Sequence, residues 1–210
     1  MLDKNSLLLC GVTDRRWAEG RTLAAMAQEA AEGGVTMLQL REKNISYAEF
    51  LRLAKELKTV TDKFKIPLII NDEADICVLS GADGLHIGQS DGGVKRARRK
   101  IGKNKILGVS VSTPEQAAAA QKDGADYLGV GAVFPTGTKE DAALTPPQKV
   151  KEICAAVRIP VIAIGGINKD TLKEVGGLGL AGIAVVSAIF AQKNIRAAAE
   201  NLKRAAKEFL

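Results

Sequence analysis

The sequence predicts an α/β fold, namely a single (β/α)8 TIM barrel that takes up residues 1–210 as one domain. Short aliphatic or β-branched runs alternate with longer helical patterns about eight times, which is the alternation that a closed parallel barrel requires. No Ser- or Pro-rich linker divides the chain, and its 210 residues suffice for one well-buried core but are few for two. An open doubly wound sheet would carry a Gly-rich fingerprint after its first strand, and Gly11–Asp14 (GVTD) is not one.

The predicted elements follow from these patterns in chain order. The strands are Leu7–Val12, Met37–Leu40, Leu68–Ile70, Gly84–His86, Ile106–Val109, Tyr127–Val130, Val161–Ile164 and Gly182–Val185. The clearest helical segments between and after them are Thr22–Glu32, Tyr47–Lys63, Pro114–Lys122, Lys149–Ala156 and Ile195–Phe209. Three joints share one pattern, a helix-ending glycine and a short loop into a buried strand: Glu32–Thr36, Ser80–Gly84 and Asp123–Tyr127.

The composition is that of an ordinary globular protein, with 46% hydrophobic and 26% charged residues. Cys10, Cys77 and Cys154 are widely spaced beside a single histidine, so we expect free thiols in a reducing cytoplasm and no zinc site. No segment approaches the ~20 apolar residues that a membrane span needs. Leu7–Cys10 is too short for the apolar part of a signal peptide. We therefore predict a soluble cytoplasmic protein without a membrane partner.

A basic cluster supplies much of the formal net charge of +6. Its members are Lys95, Arg96, Arg98, Arg99, Lys100, Lys103 and Lys105. Such a cluster could bind nucleic acid, but no aromatic residues alternate with the cations to stack on bases. We favour the solvated last turn of a helix, where cations complement the helix dipole. The sequence thus predicts no nucleic-acid partner, and the positive charge suits small anionic substrates.

Polar residues gather directly after the predicted strands, where barrel enzymes build their active sites. After strands two to five they are Gln39, Arg41, Lys43, Asn71, Asp72, His86, Asp91 and Ser110. Because Gln39, Arg41 and Lys43 alternate, they can point to one side. We expect a structural hydrogen-bonding role for His86, the only histidine. No Ser or Cys has a dedicated histidine in the sequence, which predicts that the site holds no nucleophile–base pair.

Asp72 and Asp91 follow neighbouring strands and therefore lie together at the carboxyl end of the barrel. Two hard carboxylates among cations suit Mg²⁺, which takes one or two protein carboxylates together with substrate phosphates. The alternative is that each aspartate caps the helix that follows it. With Arg41, Lys43 and Lys139 available to neutralise a diphosphate, we favour the metal site.

A second anion site is predicted after the last strands. Gly165–Gly166 follows strand seven and Val186–Ser187 follows strand eight, where barrel enzymes commonly bind a phosphate with backbone N–H groups. A plain tight turn is the alternative for the glycines. Thr136 and Thr138 flank Gly137 in the loop after strand six, so both hydroxyls could reach one ligand, although a solvated turn would explain them equally well.

These motifs resemble those of the thiamine-phosphate synthase family, and they occur in the family's order over most of the chain. They are Gln39–Lys43 (QLREK), Asn71–Asp72, His86–Asp91 (HIGQSD), Gly108–Ser110, Thr136–Lys139 (TGTK), Gly165–Ile167 and Val186–Ser187. The resemblance implies a barrel transferase that joins 4-amino-2-methyl-5-(diphosphooxymethyl)pyrimidine to 4-methyl-5-(2-phosphooxyethyl)thiazole. The products would be thiamine phosphate and diphosphate, with Mg²⁺ as the cofactor.

The resemblance also implies a role for each matching residue. The pyrimidine diphosphate would meet Gln39, Leu40, Arg41, Glu42, Lys43, Asn71, Ser110 and Lys139. Four of these would be catalytic: Arg41, Lys43, Ser110 and Lys139. Asp72 and Asp91 would carry magnesium. The thiazole phosphate would meet Thr136, Gly137, Thr138, Gly166, Val186 and Ser187.

The sequence departs from the family's pattern at two positions. Glu73 stands where relatives often carry Arg, and Ser112 stands where they often carry His. A related thiazole tautomerase on the same barrel is the second hypothesis, but its members tend to lack the full diphosphate and magnesium set and use a histidine near position 112. A non-catalytic phosphate- or nucleic-acid-binding protein is the third, and it gives no reason for Asp72 and Asp91 to converge with cations. The sequence leaves the oligomeric state open, a homo-oligomer included.

Overall fold

The predicted strands close into a parallel barrel in chain order. In this computed structural model, which describes residues 2–137 and 143–210, each strand pairs with the next and the eighth pairs with the first. The strands are β1 (Leu9–Val12), β2 (Met37–Leu40), β3 (Leu68–Asn71), β4 (Gly84–Ile87), β5 (Ile106–Val111), β6 (Tyr127–Val130), β7 (Val161–Ile164) and β8 (Gly182–Val185). The predicted (β/α)8 barrel is confirmed.

Helices surround this barrel. They are α1 (Leu23–Glu32), α2 (Tyr47–Phe64), α3 (Ala74–Leu79), α4 (Val94–Ile101), α5 (Pro114–Lys122), α6 (Pro147–Ala156), α7 (Ser187–Phe190) and α8 (Ile195–Phe209). The five predicted helical segments agree within about two residues, and α5 and α8 agree at both ends. A short 3-10 helix, Leu172–Val175, stands between β7 and β8. α3, α4 and α7 have no counterpart among these five segments, although the basic cluster indicated a helix at α4. The six residues of α3 and the four of α7 are too few to make a helical repeat visible.

Four predicted strand limits are corrected by the structure: β3 and β4 each extend one residue further, to Asn71 and Ile87, and β1 and β5 differ by two residues. β1 begins at Leu9, because Lys4–Leu7 forms a 3-10 helix whose first turn is capped by the Asp3 carboxylate. Leu7 is nevertheless fully buried, which is why it reads as part of an apolar strand. β5 continues to Val111, two residues beyond the predicted end, and this extension keeps Ser110 within the sheet.

The glycine joints have the predicted conformation. Gly34, Gly81 and Gly124 all have positive φ (94°, 74° and 102°), which favours glycine because it lacks a Cβ. After α1, the N–H of Gly34 donates to Ala31 O and that of Val35 donates to Ala30 O. These bonds satisfy the last carbonyls of the helix and turn the chain sharply into the next strand.

The basic cluster lies on and after α4, as the helix interpretation predicted. Three of its side chains pair with acidic residues: Lys95 with Asp123 (3.4 Å), Arg98 with Asp126 (2.6 Å) and Lys100 with Asp75 (2.6 Å). Arg98 also donates to the backbone oxygens of Gly124 and Lys105, so it ties α4 to the neighbouring loops. No helix in the described part of the chain combines the length and apolar character that crossing a membrane requires.

Alternate residues of each strand point into the barrel, and the others point out toward the helices. The inner cluster includes Cys10 and Val12 of β1, Met37 of β2, Ile69 of β3 and Tyr127 of β6. Continuing the same alternation toward the carboxyl ends of the strands predicts which polar residues face the mouth. By the same rule, the side chains of Gln39, Asn71 and Ser110 point into the barrel at its carboxyl end. The mouth of the barrel is therefore polar, and the interior below it is apolar.

Candidate active site

The amide side chains of β2 and β3 meet at the floor of the mouth. Gln39 is 6% exposed, and its Nε2 donates to Asn71 Oδ1 at 2.7 Å. Because β2 and β3 are neighbours in the barrel, residues that lie far apart in the chain form a rigid amide pair. The pair leaves the carbonyl oxygen of Gln39 and the amide nitrogen of Asn71 for a ligand, so it can recognise a group that both donates and accepts hydrogen bonds.

Arg41 and Lys43 extend the same side of the site beyond the end of β2. The backbone N–H of Arg41 donates to Thr13 Oγ1 at 3.1 Å, and the N–H of Thr13 donates to Gln39 O at 2.9 Å. Thr13 therefore fixes the start of this loop, a role that the sequence analysis missed. Neither Arg41 nor Lys43 forms an ion pair with a carboxylate inside residues 2–137 and 143–210, so both can neutralise an anionic ligand.

The side chains of Leu40 and Glu42 point away from this line of cations. Leu40 is fully buried in the outer cluster between barrel and helices, so its expected contact with a ligand would be made by its backbone. The carboxylate of Glu42 is 1% exposed and lies 2.6 Å from Arg15 Nε. Burial raises the pKa of Glu42, while Arg15 opposes that shift. This ion pair joins the loop after β1 to the loop after β2.

Asp72 and Asp91 come together as predicted, and neither caps a helix. Their side chains interact directly. The N-cap of α3 is Glu73 and that of α4 is Gly93, and neither makes a side-chain capping bond. The capping alternative is therefore wrong for both aspartates. The Asp91 carboxylate is instead oriented by the N–H of Gly88, at 2.6 Å from Oδ2.

The backbone at Asp72 has an unusual conformation. Its φ is +66°, a left-handed value that a non-glycine residue rarely adopts and that is concentrated at functional sites. The N–H of Asp72 donates to His86 O at 2.8 Å, which holds this turn against β4. Partial desolvation, followed by the charge of Asp91, raises the pKa of Asp72 to about 6. Two carboxylates held together against their own repulsion fit a divalent cation.

The donor set also limits which cation fits. No group of three His, Cys, Asp or Glu side chains suitable for a metal occurs within the described residues. Zinc sites usually need three or four such ligands, whereas Mg²⁺ keeps several waters and shares its ligands with substrate phosphates. Two hard carboxylates beside Arg41 therefore fit Mg²⁺ that arrives with a phosphorylated ligand.

His86 connects the floor of the mouth to the barrel core. Its Nδ1 lies 2.9 Å from the Tyr127 hydroxyl, and its Nε2 lies 2.9 Å from Ser110 Oγ. Burial lowers the pKa of His86 to about 4, so the ring is neutral at physiological pH. The expected hydrogen-bonding role of His86 is confirmed. The expectation that no serine has a histidine partner is wrong, because β4 and β5 are adjacent and both side chains point inward.

Tyr127 is a further site residue that the sequence analysis missed. It is fully buried at the first position of β6, and alternation from that position would have placed it inside the barrel. A polar tip on a fully buried aromatic side chain indicates a specific hydrogen-bond partner. That signal was available in the sequence, but the identity of the partner depends on the closure of the barrel.

The loops after β6 and β7 form the opposite side of the mouth. The N–H of Phe134 donates to Gly165 O at 3.1 Å, and a Cβ on Gly166 would lie 2.6 Å from Pro135 O. Gly165 and Gly166 have φ of 97° and 65°. The two glycines therefore let the two loops pack against each other, which brings Thr136 next to the end of β7.

The end of β8 completes this side. Ile164 of β7 is in register with Ala184 of β8, so the segments that contain Gly166 and Val186 leave neighbouring strands at the same end of the barrel. Ser187 is exposed and begins α7, whose first N–H groups have no partner within the helix. Gly137 is exposed beside Thr136. The predicted contacts Thr138 and Lys139 lie outside the described residues.

Comparison with known proteins agrees with this arrangement. A family model described as thiamine monophosphate synthase matches residues 9–189. The thiamine-phosphate synthase of Clostridium tetani is 50% identical over 191 residues, 91% of this chain and 91% of that protein. The thiamine-phosphate synthase of Alkaliphilus oremlandii is 48% identical over 196 residues, 93% of this chain and 94% of that protein.

A solved structure is also similar over nearly the whole chain. A thiamine phosphate pyrophosphorylase from Pyrococcus furiosus superposes with a TM-score of 0.91 at 39% identity. The match covers 99% of this chain and 98% of that one. The fold, the residues at the strand ends and the similar proteins all indicate the same family. The chain belongs to the thiamine monophosphate synthase family and is an enzyme of the transferase class.

Proposed function

We propose that the enzyme joins 4-amino-2-methyl-5-(diphosphooxymethyl)pyrimidine to 4-methyl-5-(2-phosphooxyethyl)thiazole, giving thiamine phosphate and diphosphate. The observation that carries the proposal is the pair Asp72–Asp91, which no helix cap explains, beside the cations that follow β2. A second anion site faces it across the mouth, over β6 to β8. Two phosphorylated substrates can thus bind with their reacting atoms between them.

The residues over β2 to β5 are suited to the pyrimidine diphosphate. The Gln39–Asn71 pair offers an acceptor and a donor to the aminopyrimidine ring. Arg41 and Lys43, together with Lys139 as implied by the resemblance, would neutralise the diphosphate. Asp72 and Asp91 would hold Mg²⁺, which supplies additional positive charge for the departing diphosphate when bound.

The order of bond changes follows from the chemistry of the two substrates. The bond between the exocyclic methylene and the diphosphate oxygen breaks, and its electron pair leaves with the oxygen. The amino group of the pyrimidine delocalises the positive charge that remains on the methylene. The thiazole nitrogen then donates its lone pair to that carbon, and it has no proton to lose. We therefore propose a dissociative substitution that rests on positioning and on leaving-group electrostatics, without a covalent enzyme intermediate.

The tautomerase alternative receives less support from the residues at the start of α5. Ser112 donates from both its backbone N–H (2.8 Å) and its Oγ (3.0 Å) to Gln116 Oε1, while Thr113 Oγ1 accepts from Gln116 N. This reciprocal arrangement resembles a capping box, except that the Gln116 side chain reaches the residue before the N-cap Thr113. Ser112 is thus committed to the helix start, at the position where a tautomerase would need an acid–base group.

We also propose that the enzyme works in the cytoplasm on small phosphorylated molecules. Its three cysteines are unpaired, which supports a reducing compartment. Burial raises the pKa of Cys10 to about 12 and that of Cys77 to about 11, so both thiols stay protonated and unreactive. An enzyme that acts on small phosphorylated molecules in the cytoplasm needs neither a nucleic acid nor a membrane as a partner.

Incubation of the purified protein with both substrates and Mg²⁺ tests the proposed function. We expect thiamine phosphate and diphosphate to form in equal amounts, and we expect chelation of the metal to stop the reaction. Chromatography of the thiamine phosphate and an enzymatic assay for diphosphate measure the two products. If no condensation occurred at any Mg²⁺ concentration, the tautomerase or a binding protein would replace this proposal.

The thiazole-phosphate site can be tested separately with Ser187→Ala. Ser187 is exposed at the start of α7, so the loss of its hydroxyl removes one hydrogen bond to an anion without opening a core cavity. A hydrogen bond to a charged group of this kind is worth a roughly 10- to 100-fold change in affinity. We expect KM for the thiazole phosphate to rise by that factor while KM for the pyrimidine diphosphate stays near its original value. Equal changes in both constants would contradict the placement of the two sites.

A further inference from the structure

Tyr127, His86 and Ser110 form one hydrogen-bonded line from the closed core of the barrel to its mouth. Tyr127 is fully buried, His86 is 8% exposed, and Ser110 is partly exposed on the inner face of β5. The two hydrogen bonds of the line are both 2.9 Å long. The line therefore connects a residue that no ligand can touch with a residue expected to meet the pyrimidine diphosphate.

The barrel leaves space for this line by means of two glycines. A Cβ on Gly108 would lie 2.2 Å from Tyr127 Cζ and 2.5 Å from His86 Nδ1. A Cβ on Gly129 would lie 3.1 Å from His86 Cε1. Any larger residue at position 108 would push both rings out of place. The positions of the phenol and the imidazole are thus fixed by tight packing as well as by hydrogen bonds.

The protons along the line can be assigned by counting donors and acceptors. With hydroxyl groups on both sides and no carboxylate touching the ring in the described part of the chain, the imidazole is neutral and carries one N–H. The Tyr127 hydroxyl has no other hydrogen-bond partner among the described residues. Its surroundings are apolar except for the Cys10 thiol, which is close enough to act on the hydroxyl electrostatically but forms no hydrogen bond with it. If Tyr127 accepted from Nδ1, its own O–H would stay buried and unsatisfied. Tyr127 therefore donates to Nδ1, and the ring proton lies on Nε2.

We propose that Tyr127 is a positioning residue, which fixes the proton of His86 on Nε2 and so directs the hydroxyl proton of Ser110 toward the substrate. The inference rests on the proposed function and deepens it. Because His86 Nε2–H donates to Ser110 Oγ, the serine must donate its own proton elsewhere, and an anionic oxygen of the diphosphate is the acceptor available. A serine that serves as a nucleophile needs the opposite polarity, in which imidazole accepts its proton. Ser110 thus acts as a hydrogen-bond donor to the leaving group.

Nitrogen NMR tests the polarity directly. His86 is the only histidine, so protein with ¹⁵N-labelled histidine and no histidine tag gives the signals of one imidazole without assignment. At neutral pH we expect long-range ¹H–¹⁵N correlations to show a protonated Nε2 and an unprotonated Nδ1, in wild type and in Ser110→Ala. Tyr127→Phe should lose this fixed preference, because Nδ1 no longer has a donor. A protonated Nδ1 in the wild type would overturn the proposal.

Kinetics test whether the polarity matters for the reaction. Tyr127→Phe should lower kcat about 10- to 100-fold, as a small misplacement of a reacting group does, and leave KM for the thiazole phosphate unchanged. In the Ser110→Ala background the same substitution should cost nothing further, because the residue through which it acts is gone. A purely structural role would instead lower kcat by the same factor in both backgrounds, and that result would overturn the proposal.

The two tests separate this inference from the proposed function. The tautomer is measured without substrate, so it can agree with the inference even if the wild type makes no thiamine phosphate. An active wild type whose kcat is unaffected by Tyr127→Phe would overturn the positioning role and leave the proposed function intact. Thermal unfolding of Tyr127→Phe shows whether the barrel is folded at the assay temperature. If it is not, the tautomer of the wild type alone decides the polarity.

Discussion

Replacing Asp72 or Asp91 by Ala is expected to abolish most of the activity while the barrel stays folded. In the proposed mechanism, loss of one carboxylate would weaken the proposed magnesium site and leave the negative charge of the departing diphosphate less compensated. Such electrostatic contributions are worth roughly 100- to 1,000-fold in kcat. Neither aspartate caps a helix, so no capping energy is lost. Turnover at limiting and saturating Mg²⁺, together with thermal unfolding, measures both expectations.

Asp75→Ala is the matched control for these variants. Asp75 lies three positions from Asp72, on the exposed side of α3, and pairs with Lys100 at 2.6 Å. Its removal makes the same change of charge, and an exposed ion pair contributes about 0–1 kcal/mol to stability. Turnover of this variant should match the wild type. Wild-type turnover of both Asp72→Ala and Asp91→Ala at limiting Mg²⁺ would remove the metal site from the proposal.

The second large effect concerns the proposed pyrimidine substrate. A pyrimidine that carries an electron-withdrawing substituent of similar size should react slower by orders of magnitude, while its binding changes little. The substituent destabilises positive charge at the exocyclic methylene, which a dissociative transition state develops and direct displacement largely avoids. The residues of the site offer positioning and charge compensation, and the proposed polarity at Ser110 leaves it without a base.

Single-turnover kinetics and equilibrium binding measure the rate of the chemical step and the affinity separately. The rate of the chemical step should fall strongly, and the dissociation constant of the substituted pyrimidine diphosphate should stay within a small factor of the normal value. A nearly unchanged rate, with chemistry demonstrated to be limiting, would favour direct displacement by the thiazole nitrogen. A covalent adduct on Ser110 would contradict both the mechanism and the inferred role of Tyr127.

Much of the site could be predicted because a parallel barrel turns sequence order into spatial order. Each strand end faces the mouth, so Gln39, Asn71 and Ser110 could be grouped from their positions alone. Alternation along each strand decided which side chains point inward, and the same rule would have placed Tyr127 inside. Leu40 was expected to contact the substrate by resemblance, although its outward position in β2 was readable from the same alternation.

The sequence by itself determined the fold class, most element bounds and the composition of the mouth, because periodicity and turn residues are local properties of the chain. Only the tertiary structure decided which residues touch. It excluded helix caps at Asp72 and Asp91, gave Asp72 its left-handed backbone, and joined Arg15 to Glu42. It also aligned Ser110, His86 and Tyr127 across β5, β4 and β6. Such contacts depend on closure of the barrel and on the space that Gly108 leaves between the strands because it has no Cβ. No single segment of the sequence shows how the strands align or which side chains fill that space.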